Sequence, residues 1–553
     1  MSAVVGIAWI VYGILVTGFL GVAIAFTRHY QHKHESEALA TIITILALTL
    51  VLATVALVPI DIFLVSSTVD QSTGLKQPWA TPDKMDQITM TVQIVYYACY
   101  GAIGLFSFLV IPFAYFYYEE YDDEDEQSNL DRILGALKYT SFFVVICVLL
   151  IVAGLFVKPS QEPPTLGLDW LEKLLIGNNG LKSLSFVLAC LILVGMVVFI
   201  GYTAPGLSLL PLSMIKGRRS VDTEKEDINS RIAVNRERQR EIQARYSGTA
   251  KPKSMNDRHD LDRLEDERRA LSRMLNTIEH DSGTTWYRVM RWLRPLELIT
   301  GVFLLLLSLA ITVSIFLTIF DKINSSICGS SCGYVINHPD LFNPINIIFV
   351  KLANVFPLDY IFMVLLIIYF FLSTMSGVIT MGVRLLWISL FKIRKGATMP
   401  QALLILTILM TLGLLAMNYS LTAVVAPGYA HFGSQVYCNH TITDTTRDCS
   451  EHKELIVPCD IYAPTDICTP TTVSTLIDRI AINAPFFGVV LYYAQWAFLV
   501  VYVIGLLVAL FRKRQNNVDE ETEDMDADEE QQILLRGESS RQHTYGSQNS
   551  GHV

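Results

Sequence analysis

Charged residues are scarce in this chain. Only 17% of its 553 residues are Asp, Glu, Lys or Arg, whereas 52% are hydrophobic. Soluble domains carry about a quarter charged residues. The composition therefore excludes an ordinary water-soluble globular protein and indicates that most of the chain lies in a membrane.

The sequence motifs of common enzymes are also absent. The chain contains no G-x-x-x-x-G-K-[ST] loop, no H-E-x-x-H, no G-x-S-x-G and no paired C-x-x-C, so it lacks these means of binding nucleotide phosphates, a catalytic zinc or an acyl group. The segment GNNGLKS, from Gly177, has the wrong spacing for a phosphate loop. We interpret the histidines of RHYQHKH, from Arg28, as an interfacial anchor rather than a metal site. We expect no enzyme activity, no resident metal or cofactor, and no nucleic-acid partner.

Long apolar runs dominate the chain instead. A helix needs roughly 20 mostly apolar residues to cross a bilayer. Nine runs meet this requirement: Val4–Thr27, Leu39–Val65, Ile88–Tyr115, Tyr139–Val157, Leu184–Ser208, Leu296–Phe320, Tyr360–Leu386, Gln401–Ala426 and Pro485–Phe511. The sequence therefore predicts an all-α polytopic membrane protein with about nine transmembrane helices. We expect the first run to be a retained anchor rather than a cleaved signal peptide.

The basic residues predict the orientation of these spans. Lys and Arg gather in alternate loops, most densely between Lys216 and Arg294, and loops of this kind face the cytosol. The acidic stretch YYEEYDDEDE falls on the same side, but acidic residues contribute little to this rule. We expect a luminal N-terminus, a cytosolic C-terminus and four regions: spans 1–5 in residues 1–215, a cytosolic helical hairpin in 216–295, spans 6–9 in 296–511, and a disordered acidic cytosolic tail in 512–553.

The cysteines support this orientation. Three of the nine lie inside apolar runs, and none lies in a predicted cytosolic loop. The other six lie in the two largest luminal loops, residues 321–359 and 427–484, and indicate disulfides in an oxidising compartment whose pairing the sequence does not choose. They are Cys328, Cys332, Cys438, Cys449, Cys459 and Cys468. A metal site at Cys328 and Cys332, with His338 as third ligand, is the less favoured alternative.

Glycosylation sequons agree with the cysteines. NSS at Asn324 and NHT at Asn439 lie in the same two luminal loops and predict glycosylation there. NYS at Asn418 lies inside the eighth apolar run, where we expect it to stay unmodified.

Two polar segments have patterns of their own. Ile228, Ile232 and Ile242 precede the break SGTAKPKSMN, and an apolar stripe follows it at spacings of three, four and seven. The stripe consists of Leu261, Leu264, Leu271, Leu275 and Ile278, and the pattern predicts two charged helices that fold back on each other. This hairpin either merely connects two spans or serves as a docking platform.

In the tail, Glu530 precedes Leu534 and Leu535 in EEQQILL. This motif resembles the acidic dileucine signal that clathrin adaptors bind, and it points to endosomes and lysosomes.

Two apolar runs repeat one costly pattern. ALVPIDIFLVSS contains Pro59 and Asp61, and NVFPLDYIFMVL contains Pro357 and Asp359 at the same spacing. In the predicted topology both pairs lie at the luminal membrane face, which places each carboxylate near water. Either each proline ends or opens a helix that the aspartate caps, or the two aspartates face each other in a luminal ligand-binding vestibule. An apolar stripe from Ile345 to Phe356 predicts an interfacial helix that could form the floor of such a vestibule.

Long strings of this chain are similar to the limb-region-1-like membrane proteins. The resemblance runs from the first span to the last, and the strings that carry it are ESEALATI, VPIDIFLVS, IPFAYFYYEEYDDEDE, ALKYTSFFVVIC, LPLSMIKGRRS, FPLDYI, FKIRKGATMPQALL and QWAFLVVYVIGLL. It implies a lysosomal membrane glycoprotein needed to release cobalamin into the cytosol, in partnership with an ABC half-transporter. It also implies passage through the endoplasmic reticulum and plasma membrane, and an adaptor-dependent role in receptor endocytosis.

Two classes of function therefore remain open. In the first, the protein is an escort or accessory subunit for cobalamin export and conducts nothing itself. In the second, it is a receptor or direct transporter whose bundle binds ligand through Asp61 and Asp359, or a cofactor of an endocytic receptor. The shortage of charged residues deep in the spans argues mildly against an autonomous transporter.

Overall fold

A computed structural model describes most of the chain. The described residues are 3–32, 37–120, 129–156, 179–216, 221–246, 255–283, 285–326, 329–334, 341–353, 355, 357–385, 388–391, 393, 396, 398–443, 446–447, 449, 453–460 and 462–511. Those in Met1–Leu210 and Leu305–Ala509 form one compact unit, and those in Pro211–Leu304 and Leu510–Val553 form a second.

The described residues contain nine helical segments long and apolar enough to cross a membrane, which confirms the predicted fold class. In chain order, spans 1 to 9 are Val4–Tyr30, Ala38–Ser66, Pro82–Glu119, Leu130–Phe156, Ser183–Lys216, Leu296–Asn324, Leu358–Met381, Pro400–Val425 and Pro485–Phe511. Each overlaps one of the apolar runs read from the sequence, because a bilayer requires the same length of apolar helix wherever a chain crosses it.

The spans are built from longer and shorter helices. The α-helices are α1 (Ala3–Tyr30), α2 (Ala38–Ser66), α3 (Pro82–Leu105), α4 (Ile111–Glu119), α5 (Asn129–Phe156), α6 (Asn179–Val198), α7 (Ala204–Lys216), α8 (Val221–Tyr246), α9 (Met255–Gly283), α10 (Thr285–Asn324), α11 (Pro344–Ala353), α12 (Leu358–Met381), α13 (Pro400–Ser420), α14 (Pro427–Phe432), α15 (Thr472–Asn483) and α16 (Pro485–Phe511). Single π-turns widen spans 3, 5 and 8, at Phe106–Val110, Phe199–Thr203 and Leu421–Val425. Such turns are rare and often occur at functional sites.

In the described part of the connecting segments, eight short strands form four antiparallel pairs. They are β1 (Val69–Asp70), β2 (Leu75–Lys76), β3 (Val383–Leu385), β4 (Ile388–Phe391), β5 (Val436–Cys438), β6 (Thr441–Thr443), β7 (Thr446–Arg447) and β8 (Ile456–Pro458). β1 pairs with β2, β3 with β4, β5 with β8, and β6 with β7. In the β5–β8 pair, Val436 lies opposite Pro458 and Cys438 opposite Ile456.

The seventh span is shorter than its apolar run predicts. The run extends to Leu386, but α12 ends at Met381 and Gly382 follows with a φ of +70°. Arg384, which the sequence placed late in the span, instead lies in β3. The Tyr202 hydroxyl accepts a hydrogen bond from the Arg384 N–H at 3.0 Å and donates one to its carbonyl at 3.2 Å. These contacts satisfy the backbone there without a helix.

Span 8 lies at the centre of the larger unit. Of its most apolar stretch 83% is buried, against 17% for span 1 and 11% for span 4. A helix that is apolar all round packs inside a bundle, and one with an exposed apolar face borders lipid. Span 8 is therefore the most buried of the nine spans, and spans 2 and 5 pack directly on it.

Glycines let span 5 approach its neighbours closely. A Cβ at Gly206 would lie 1.9 Å from the Ser373 carbonyl oxygen of span 7, and one at Gly377 would lie 2.0 Å from the Tyr202 carbonyl oxygen of span 5. Gly195 is equally close to the backbone of span 8. In hydrocarbon such contacts hold helices together, because small residues allow backbone-to-backbone packing.

Alanine at these contacts should destabilise the bundle. Gly206→Ala and Gly377→Ala should each cost about 1–3 kcal/mol, because the added methyl group would overlap backbone rather than a movable side chain. The measurement is the apparent Tm of the purified protein in detergent. Gly101→Ala on span 3 is the control, since its Cβ meets nothing within 4 Å. An equal loss of Tm in the control would show that helix flexibility, and not packing, is being measured.

The second unit contains the helical hairpin. Helices α8 and α9 pack through Ile228 and Leu271, which are 0% and 2% exposed, with Ile232 and Leu275 beside them. These four are among the apolar residues that predict the hairpin from the sequence. Intrahelical pairs such as Arg245 with Glu241, at 3.0 Å, occupy the charged faces.

Candidate functional site

The segment 427–484, which we call the disulfide segment, packs onto the end of span 2. It contains α14, strands β5 to β8 and α15, and its four cysteines form the pairs Cys438–Cys449 and Cys459–Cys468. The disulfide prediction is confirmed for these four cysteines. Gly433 follows α14 with a φ of +63°, and a Cβ there would lie 2.1 Å from Ser66 Oγ. Only glycine permits that approach.

Asp61 binds the start of α15. Its Oδ2 accepts a hydrogen bond from the Val473 N–H at 2.9 Å, and Thr472 also bonds the carboxylate. The first N–H groups of a helix have no partner within the helix and carry its positive dipole end, so a carboxylate is the favoured partner. Asp61 thus fixes α15 to the end of span 2.

Asp359 binds α14 through a tyrosine. The Tyr429 hydroxyl donates to Asp359 Oδ2 at 2.8 Å, and its ring stacks on Phe349 of α11 with centroids 4.3 Å apart. The Tyr429 N–H also donates to Asn346 Oδ1 of α11 at 3.2 Å. The start of span 7, the interfacial helix predicted near Ile345 and α14 therefore form one packed layer.

These contacts correct the sequence-based view of both Pro-x-Asp pairs. Pro59 does not end its helix but lies inside α2, where the packed neighbours of span 2 tolerate one lost backbone bond. The aspartates do not lie near water, since each is only 1% exposed. Asp61 does not cap its own helix, because it lies inside α2 and binds α15 instead. For the second pair the helix-opening interpretation holds: Pro357 precedes α12, and Asp359 lies in its first turn, where the N–H groups of Asp359 and Tyr360 also bond its carboxylate. Whether they bind ligand stays a prediction.

Removing the Asp61 carboxylate should weaken the attachment of α15. Asp61→Ala would leave the Val473 N–H buried without an acceptor, at a cost of about 1–3 kcal/mol. Asp61→Asn should recover most of this loss, because its amide oxygen also accepts. The measurement is apparent Tm together with protease susceptibility of the disulfide segment. Asp70→Ala is the control, since Asp70 bonds only Ser72 in its own turn. If Asn were as damaging as Ala, charge rather than hydrogen bonding would hold α15.

A polar cavity of about 150 Å³ lies between spans 6 and 8, α11 and the disulfide segment. Among the polar side chains lining it are Asp321, Lys322, Asn343, His431, Ser474 and Asp478. Neither Asp61 nor Asp359 belongs to the lining. We call it the polar cavity.

The unpaired carbonyl groups at the end of span 8 explain why Lys322 and Asn343 lie in the lining of the polar cavity. Helix carbonyls at a C-terminus lack partners within the helix. Lys322 Nζ donates to the Ala423 carbonyl at 2.9 Å, and the Val425 carbonyl accepts from Ser314 Oγ at 2.8 Å and from Asn343 Nδ2 at 3.3 Å. A buried ammonium at the negative end of a helix is favourably placed.

Two of the titratable groups that the disulfide segment contributes to the cavity, His431 and Asp478, lie close together. His431 Nδ1 hydrogen-bonds Ser474 Oγ and lies 3.7 Å from Asp478 Oδ2. Burial lowers the pKa of the His431 imidazole to about 4. Burial raises the pKa of the Asp478 carboxyl to about 7, although the charge of Lys322 acts in the opposite direction. Between these two values both groups are uncharged, so two uncharged partners adjoin the Lys322 ammonium.

The structure describes only some of the residues predicted for glycosylation, disulfide formation and sorting. Asn324 and Asn439 are both exposed, while Asn418 is buried and donates to the Tyr100 hydroxyl at 3.2 Å. Cys328, His338 and the tail residues Glu530, Leu534 and Leu535 lie outside the described residues, as does the side chain of Cys332. Among the described residues, no group of three or more His, Cys, Asp or Glu side chains could hold a metal ion.

Sequence reasoning missed the charged groups of the polar cavity. Asp321 and Lys322 follow the apolar run of span 6 and look like ordinary loop residues. His431 and Asp478 lie in a long connecting segment. Two signals were present: the Asp-Lys pair directly after a span, because a charge at that depth needs a partner, and the helical spacing of Val473, Leu476, Ile477 and Ile480 around Asp478.

The arrangement can hold protons, waters or a small polar group. Drug-sized ligands occupy pockets of roughly 300–1,000 Å³, well above the volume of this cavity. The buried charges are balanced by one another and by helix ends, which is the usual condition for ions at low dielectric.

Comparison with known proteins identifies the family. A family model described as LMBR1-like membrane protein matches residues 7–282. The chain is 42% identical over 96% of its length to a protein of Pyrenophora tritici-repentis named "Probable lysosomal cobalamin transporter", of which it covers 94%. The chain belongs to the LMBR1-like membrane proteins.

Further relatives extend over the same length. Proteins with the same name from Sclerotinia sclerotiorum and Podospora anserina are each 40% identical to this LMBR1-like chain over 95% of its length, and it covers 92% of each. The similarity therefore extends beyond the region matched by the family model. No solved structure matches the chain.

Proposed function

We propose that this LMBR1-like protein serves the export of cobalamin from lysosomes to the cytosol. The observation that carries the proposal is identity of about 40% over nearly the whole chain to relatives named for that activity. The nine membrane spans and the two disulfides are consistent with it, because disulfides form in oxidising compartments. In this proposal the disulfide segment faces the lysosomal lumen, and the hairpin and tail face the cytosol.

Within that function, the protein acts as an escort or accessory partner of an ABC half-transporter. The polar cavity is too small to enclose a corrinoid. The aspartates proposed from sequence as ligand groups are each engaged by the disulfide segment. Both observations favour an accessory role over direct conduction, with ATP hydrolysis supplied by the partner.

The test combines cobalamin release in cells with cobalamin binding by purified protein. Cells lacking the protein should retain cobalamin in lysosomes, and the full chain should restore release. The purified full chain should show no saturable cobalamin binding at acidic pH, whereas its complex with the half-transporter should bind. Tight binding by the chain alone would favour the direct transporter.

Asp61→Asn and Asp359→Asn separate the two models further. If these side chains only hold the disulfide segment, both variants should release cobalamin normally when retention is normalised to protein that reaches lysosomes. A defect in both, with normal protein level and glycosylation, would support the ligand-binding vestibule.

The tail prediction concerns delivery to lysosomes through clathrin adaptors. Leu534→Ala with Leu535→Ala should shift the steady-state protein from lysosomes toward the plasma membrane, because adaptors bind the paired leucine side chains. The measurement is surface biotinylation, and Leu510→Ala, a leucine inside span 9, is the control. An unchanged distribution would exclude this motif as the sorting signal.

A further inference from the structure

The polar cavity contains titratable groups from separate elements that meet at one point. Asp478 lies on α15, His431 on α14, and Lys322 on span 6. Lys322 is 9% exposed, and its charge acts on the Asp478 carboxyl. The charge state of Asp478 therefore affects contacts between the disulfide segment and two spans.

Lys322 has two sets of partners. Its ammonium donates to the Ala423 carbonyl in the π-turn of span 8, and both Asp478 and the neighbouring Asp321 attract it electrostatically. An ammonium has three donors. An ionised Asp478 competes for it with span 8, whereas a protonated Asp478 does not compete as a charge.

We propose that the polar cavity is a proton-binding site in which Asp478 takes up one luminal proton and thereby loses the charge that attracts Lys322, whose ammonium stays on the end of span 8. The luminal source of the proton rests on the proposed function, whereas the site itself rests on the cavity and its contacts. The ligand is a proton rather than a metal, because the described residues hold no cluster of three metal-binding side chains.

The groups facing Asp478 identify it as the proton acceptor. They are His431 of α14, Lys322 and Asp321 of span 6, Tyr419 of span 8 and Asp460 of the disulfide segment. Histidine is the usual side chain to titrate between about pH 5 and about pH 8. Here burial keeps His431 neutral until the pH reaches about 4, whereas the carboxyl of Asp478 has a pKa near 7.

The sign of the stability effect follows from the raised pKa. The folded state holds the Asp478 proton more tightly than the unfolded chain does, in which the pKa is about 3.8. The stability contributed by this group is therefore fully present below pH 3.8 and is lost as the pH rises through about 7. Acidification of the lumen strengthens the packing of α15 through this group.

The experiment is a pH titration of the purified full chain in nanodiscs, followed by infrared difference spectroscopy of protonated carboxyl groups. We expect a band with a midpoint near pH 7. Asp478→Asn should remove the Asp478 component of that band, which is isolated by subtracting the spectrum of this variant from that of the wild type. Lys322→Met should move the midpoint of the Asp478 component to higher pH because it removes the nearby positive charge. Asp460→Asn is the matched control: it makes the same change in the same cavity, at a carboxylate that already accepts from the Tyr462 N–H at 3.0 Å, and should leave the band intact.

Hydrogen exchange tests the consequence for Lys322. Exchange in α15 and in the last turn of span 8, corrected for intrinsic rate, should change with protonation in the wild type and not in Asp478→Asn or Lys322→Met. A band whose amplitude is unchanged in Asp478→Asn, or a midpoint near 3.8 for the component that this variant removes, would overturn the proposal. If Asp478→Asn does not fold, the Lys322→Met variant tests the proposal instead. A midpoint that moves to higher pH supports the proton-binding site, and one that does not move or moves to lower pH contradicts it. These measurements contain no cobalamin, so a negative result would overturn the proton-binding site without contradicting the export function. Conversely, a failure of the proposed export function would not change the outcome of the titration.

Discussion

The end of span 8 sets the constraint on which the rest of the larger unit depends. In hydrocarbon every backbone polar group must be satisfied by the protein. Span 8 closes with a π-turn, and its last carbonyls have no partners of their own within the helix. Lys322 and Ser314 of span 6 and Asn343 before α11 supply the missing donors. Because those donors come from other elements, satisfying one helix end draws span 6 and α11 onto span 8 and leaves a polar cavity between them.

The repeated Pro-x-Asp pattern follows from the same constraint. Each aspartate is buried in a membrane protein, where a carboxylate is costly unless it is bound. Asp61 meets this requirement with the N-terminus of α15, and Asp359 with the hydroxyl of Tyr429. One motif thus attaches two different helices of the disulfide segment to two different spans. The prolines are not equivalent: Pro357 precedes α12, while Pro59 is enclosed in α2.

The sequence predicts those features that depend on short stretches of chain. Nine spans, two hairpin helices and disulfide-bonded cysteines each follow from local composition or spacing. It does not predict contacts between residues far apart, and Asp61 and Val473 are 412 positions apart. The burial of Asp61, the strand at Arg384 and the charges of the polar cavity all depend on such contacts. A hydropathy pattern indicates that burying a carboxylate in a span costs free energy, but only the tertiary structure identifies the N–H group that binds it.

The charged groups of the polar cavity lie at one end of span 8, and their position bears on whether this protein itself conducts a substrate. Farther along span 8 from the polar cavity, Thr411 donates to the Thr407 carbonyl, and Thr407 donates to the Leu403 carbonyl and contacts the Thr44 hydroxyl of span 2 at 3.1 Å. A hydroxyl that is already bonded adds little to a polar path. A hydrophilic corrinoid crossing here would have to separate span 8 from the spans that bury 83% of its most apolar stretch. The cost of that separation is a physical argument for the proposed accessory role, in which a partner provides passage across the membrane.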